Sequence, residues 1–161
     1  MALRVRKVPQ KVTARLSPTA FIDVSLRNHL SLTALCTEHG AAFHLGTIVR
    51  TMFASIFLFD AGFGEADPSI YTKADRSLAK LATSRSLKSH YRLDPHEAEH
   101  AARLLAVYDL QLQTAPLEAL VAAHQLAESN FHASSEERLS IPEIVQRSAF
   151  QTNILALNAA V

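Results

Sequence analysis

Two histidines four residues apart with a glutamate after the first, His96-Glu97-Ala98-Glu99-His100, form the stretch of this sequence best spaced for metal chemistry. On a helix, positions i and i+4 share a face. Both imidazoles could then hold a zinc ion while the glutamate activates a bound water, as in zinc peptidases. Glu118, 18 residues beyond His100, stands near where a third ligand falls in some such enzymes. Two features weigh against this chemistry. Glu99 puts a charge where the catalytic helix is uncharged, and Asp94-Pro95-His96-Glu97 is also a capping box with Asp as N-cap and Glu at N3. The cap accounts for Glu97 without metal, so no catalytic residue, metal ligand or cofactor is assigned. His44 and His124 read as core or edge histidines with one hydrogen bond each. Cys36 has no second Cys or neighbouring His and reads as a buried thiol. A phosphate-cradling glycine loop and a serine-centred elbow are both missing from the sequence.

The elements that would position these residues are helical. With 161 residues, 48% hydrophobic and 19% charged, and only 4 Gly and 6 Pro, the chain has the composition of one globular domain. Ser17-Pro18, Asp67-Pro68 and Asp94-Pro95 each pair an N-cap with proline at the first helical position. They predict helices from 18 to about 39, from 68 over about 16 residues, and from 95 to about 113. In the first of these, Ile22, Leu26 and Leu30 at i+4 spacing are the expected buried stripe, with Gly40 as the stop. In the third helix of the chain the stripe is Ile70, Ala74, Leu78 and Leu81. Pro116 opens a fifth helix with Asn130 as its C-cap. Ser140-Ile141-Pro142-Glu143, a second capping box, opens a sixth.

The run 41–61, AAFHLGTIVRTMFASIFLFDA, is apolar nearly all round except for a strip of His44, Thr47, Thr51 and Ser55. Such a helix must be wrapped by other helices or by lipid. Its nine Phe, Leu, Ile and Val residues would each gain about 0.3 to 0.6 kcal/mol in a bilayer, against a cost of about 2.5 to 3.5 for central Arg50. With no Trp, Tyr or basic cluster at its ends, the balance favours a core helix over a membrane span. The expected fold is all-α, a single bundle of about six helices around 41–61. A basic, flexible arm (residues 1–17) is expected to precede the bundle domain (18–161).

Charge is divided unevenly. Residues 1–93 hold 13 Lys/Arg and 6 Asp/Glu, and residues 94–161 hold 3 and 9. Arg4, Arg6, Lys7, Lys11 and Arg15 form an acid-free arm; Lys73, Arg76 and Lys80 form a stripe continued by Arg85, Lys88 and Arg92. These could contact phosphates, although no aromatic residues are interleaved with them. The plainer expectation is that the basic half is attracted to the acidic half. The lone cysteine and the lack of a secretory signal in the given sequence point to the cytoplasm.

At the C-terminus, Phe150, Ile154, Leu157 and Val161 are spaced 4, 3 and 4, a heptad seam suited to a partner helix. Arg147 interrupts that seam upstream. The string 149–161, AFQTNILALNAAV, resembles the start of the signalling hairpin of methyl-accepting chemotaxis proteins. The resemblance covers 13 of 161 residues. It implies one limb of a long antiparallel coiled coil, with Phe150, Ile154 and Asn158 at positions of trimer contact. The family's tip and returning limb lie beyond Val161, so a receptor-type helix is implied rather than a complete receptor.

The function expected from the sequence is therefore a small, non-enzymatic, bacterial-type cytoplasmic protein. It would act by helix-mediated association with itself or a signalling partner, with Phe150, Ile154, Leu157 and Asn158 in the contact. The second reading is a nucleic-acid accessory protein using the arm and residues 73–92. A zinc peptidase through 96–100 ranks third.

Overall fold

The computed structural model describes residues 13–64, 67–83 and 90–149. Six helices account for most of them: α1 (Pro18–Leu35), α2 (Ala42–Asp60), α3 (Ser69–Thr83), α4 (Pro95–Thr114), α5 (Leu117–His132) and α6, which occupies 141–149 of the described chain. No strand occurs among the described residues. The fold is the all-α bundle that the caps and periodicities predict, with α2 at its centre, packed against α1, α3, α4 and α5.

The capping residues work as their types dictate. Ser17 Oγ accepts from Ala20 N–H at 3.2 Å, and Asp94 and Glu97 form a reciprocal box at 2.8 and 3.0 Å. Asp67 takes both the backbone N–H and the hydroxyl of Ser69, at 2.9 and 2.6 Å. Ser140 N–H and Oγ both donate to Glu143. Each such cap satisfies amides that the first helical turn leaves unpaired and contributes about 1 kcal/mol.

Helix α1 ends at Leu35, four residues short of the expected His39. The cause is tertiary: Leu35 C=O accepts from Leu93 N–H at 2.7 Å, and Gly40 C=O from Tyr91 N–H at 3.3 Å. Residues 91–93 are thus bonded to the end of the helix. A Cβ at Gly40 would collide with the Tyr91 carbonyl, so close backbone approach fixes this glycine. The α2–α3 turn needs two others, Gly62 at φ +87° and Gly64 at φ +91°. Asn130 does not cap α5, which continues to His132. Its amide instead clasps Leu139 by both backbone groups, at 2.7 and 3.0 Å, and pins the α5–α6 connection.

The larger correction concerns α1. Ile22, Leu26 and Leu30 are 57%, 53% and 59% exposed rather than buried. The face turned inward holds Asn28, Ser31, Leu32 and Leu35, with Phe21 and Val24 partly buried beside them. The core proper is Ile48, Met52, Ile56 and Leu58 of α2, Tyr71 and Leu78 of α3, Leu104, Leu105 and Tyr108 of α4, and Ile141 and Ile144 of α6.

Candidate functional site

The metal-spaced histidines are brought together by α4, and His100 is committed elsewhere. His96 and His100 stack edge-on with centroids 4.5 Å apart. His100 Nδ1 bonds Ser77 Oγ of α3 at 3.0 Å. Burial of its inner edge, followed by the charges of His96 and Lys73, holds His100 below the usual histidine range. Glu97 serves the capping box, and its other carboxylate oxygen receives Lys80 Nζ. That pairing raises the Lys80 pKa, while the Glu97 backbone N–H holds Asp94 low. Among the described residues no group of three His, Cys, Asp or Glu side chains could hold a metal ion. Glu118 lies in the first turn of α5.

Two members of the polar strip of α2, Thr51 and Ser55, are spent on the core. Thr51 Oγ1 donates to Asn28 Oδ1 at 3.2 Å, which explains why α1 turns a polar residue inward. Ser55 Oγ donates to Gln111 Oε1 at 2.7 Å; Gln111 Nε2 donates to Ser55 C=O and Phe63 C=O, both at 3.0 Å. Tyr71 OH lies 3.2 Å from Ser55 Oγ, and burial pushes its pKa up. This fully buried cluster joins α2, α3, α4 and the turn at Phe63. His44 Nδ1 accepts from Ala41 N–H at 3.1 Å, a local N-terminal role. Cys36, expected buried, is exposed at the end of α1, though partial burial raises its pKa.

A different pairing is only half legible in the sequence. Tyr108 of α4 is fully buried, and its OH lies 2.5 Å from His124 Nε2 on α5. The His124 ring also lines an apolar groove of about 770 Å³ between the start of α1 and α5. Burial first, then the charge of Arg27, lowers the His124 pKa, and burial raises that of Tyr108. His124 could be flagged in the sequence as a polar residue on an apolar stripe; its partner could not.

The basic residues that are described are partly engaged. Arg15 Nη1 donates to the carbonyls of Gln113 and Thr114 at 3.1 Å each, tying the end of the arm segment to the C-terminus of α4. Lys80 meets Asp94 and Glu97, and Arg50 meets Glu128 at 2.9 Å. Arg147, which interrupts the heptad seam, pairs with Asp60 at 2.6 Å, and Ser148 Oγ donates to the same carboxylate. Helix α6 is thereby fastened to the end of α2. Phe150, Ile154, Leu157 and Asn158 lie outside the described residues, as do Arg4, Arg6, Lys7, Lys11, Arg85 and Lys88.

Among the described residues the outward ridge of α1 carries three apolar side chains that are each more than half exposed. Ile22, Leu26 and Leu30 follow one i+4 row, and Phe43, 69% exposed at the start of α2, lies beside Leu26 and Leu30. Asp23 and Arg27 flank the same shallow groove. Comparison with protein-family models, curated proteins and solved structures gives no match, so this geometry alone bears on function.

Proposed function

We propose that this protein is a non-enzymatic cytoplasmic association module. It pairs with a second copy of itself through α1 and presents the chemoreceptor-like string 149–161 to a signalling partner. The observation that carries the proposal is the exposed ridge Ile22–Leu26–Leu30 with Phe43 at its side. Rows at i±4 from two helices interdigitate in the commonest helix-packing geometry, so the ridge suits a copy of itself. Asp23 and Arg27, one turn apart along the ridge, give an antiparallel two-fold pair complementary charges. The anchoring of α6 by Ile141, Ile144 and the Asp60 contacts supports the second half of the proposal, because the helix leading into 149–161 is rigidly joined to the core. The nucleic-acid reading draws less support, since Arg15 and Lys80 are already held by partners within the domain.

Sedimentation equilibrium of the full chain tests the proposal. The expected result is a dimer that Leu26→Glu with Leu30→Glu converts to a folded monomer. A wild-type monomer at about 100 µM, well above the affinities of specific interfaces, would sink it. So would a charged variant that stays dimeric. A chain ending at Ala149 keeps Ile141 and Ile144; if it alone becomes monomeric, association runs through the string 150–161 and not through α1.

A further inference from the structure

The groove between α1 and α5 lies on the opposite side of α1 from the ridge and makes a site of another kind. Its walls are Leu16, Val24, Leu117 and Val121, and its floor is the buried pair Leu112 and Leu120. A volume of about 770 Å³ falls within the range of small-molecule sites. Such sites are mostly apolar and take their orientation from a few placed polar groups.

Here the polar side chains on the groove are His124, Gln125, Glu128 and Ser129, and His124 is the one held by a buried partner. Tyr108 is fully buried, and among the described residues its hydroxyl has one partner, His124 Nε2. A neutral phenol buried in this way must donate, so Nε2 accepts, and the proton of the neutral imidazole stands on Nδ1. Nδ1 is on the ring edge away from Tyr108. The tyrosine thus fixes the partly exposed His124 ring as a hydrogen-bond donor at the edge of the groove. Glu128, the acid at the rim, is turned to Arg50 at 2.9 Å and lies 3.6 Å from His132 Nε2. A carboxylate ligand would bring its charge beside that acid, whereas an uncharged carbonyl oxygen offers an acceptor without repulsion.

We propose that the groove binds an uncharged, apolar molecule with a single carbonyl acceptor, its aliphatic part against Leu16, Val24 and Val121 and its oxygen on His124 Nδ1. This site is independent of the α1 pairing.

The test is an NMR titration of the full chain with nonan-2-one, using methyl and imidazole nitrogen signals, with nonanoate as the charged comparison. The expected result is saturable binding on the order of 100 µM, as ligands of this size allow, with shifts at Leu16, Val121 and the His124 ring. Val121→Trp fills the groove from an exposed position and should abolish those shifts while leaving the fold intact. His124→Phe keeps ring shape without the donor and should weaken binding about two- to tenfold, the discrimination expected from one hydrogen bond at a partly exposed site. The proposal is overturned if no saturable shift appears, if Val121→Trp binds as wild type does, or if nonanoate binds as tightly as the ketone. Shifts at Leu16 and Val121 on dilution of the protein alone would show a second copy in the groove and would overturn it equally.

Discussion

Replacing Gln111 with methionine keeps the length of the side chain and removes its amide. In the native state that amide accepts from Ser55 Oγ and donates to the carbonyls of Ser55 and Phe63. Ser55 C=O retains Tyr71 OH at 3.3 Å, and Ser55 Oγ retains the same hydroxyl, so neither is wholly orphaned. Phe63 C=O loses the side-chain donor that holds the turn to α4. One carbonyl stranded at about 1 to 3 kcal/mol and one weakened hydroxyl at about 1 give an expected loss of about 2 to 4 kcal/mol. In urea, with a slope of about 2 kcal/mol per molar, the midpoint should fall by about 1 to 2 M. Gln113→Met, two residues along on the exposed side of α4, is the control and should change stability by less than about 0.5 kcal/mol. Gln111→Glu should be worse than methionine at pH 7, because a buried carboxylate has no N–H for either carbonyl. Its folded pKa would lie above the unfolded value, so the variant should recover stability as pH falls toward 5 and lose it as pH rises. Equal midpoints for Gln111→Met and Gln113→Met would refute the view that this cluster holds α2, α3 and α4 in register.

Two further outcomes follow from the same structure. Gly40→Ala should cost about 1 to 3 kcal/mol by driving a Cβ into the Tyr91 carbonyl, whereas Gly46→Ala, whose Cβ would meet only the flexible Arg50 Nη1 at 3.4 Å, should gain up to about 1 from helix propensity; thermal unfolding of the pair checks both. His124, depressed by burial and Arg27 against the opposing charge of Glu128, is protonated more readily in the unfolded chain, so its contribution is complete above about pH 6.5 and is lost as pH falls below it. The stability gap between wild type and His124→Gln should narrow between about pH 7 and 5, and a gap independent of pH would refute the locked neutral ring.

How much of this was legible in the sequence depends on the range of the interactions. Caps are local chemistry, so Ser17, Asp94 and Ser140 mark their helices correctly, and the apolar run 41–61 finds its wrapping in four neighbours. The end of α1 is not local, because the Leu93 amide and the Tyr91 backbone that stop it come from more than 50 residues away. The same holds for the site: His124 stands out on an apolar stripe, but nothing in the spacing couples it to Tyr108. Arg147 looked like a break in a heptad and is an anchor for α6 on Asp60.

The misplaced face of α1 is the instructive case. Periodicity identifies two stripes on that helix without saying which one is inside, and the default rule chooses the more apolar, Ile22–Leu26–Leu30. What decides the rotation is the polar strip of α2. Thr51 sits in the interior and needs a partner; Asn28 supplies it, at the cost of one unpaired Asn28 Nδ2. With Asn28 inward, Leu32 and Leu35 follow it into the core at i+4 and i+7, and the ridge about half a turn away is carried outside. Turning the helix the other way would bury three large side chains and strand Thr51. A chain that leaves a continuous apolar ridge exposed has the composition of a surface meant to be covered, which is why the ridge carries the functional proposal more firmly than the metal-spaced histidines.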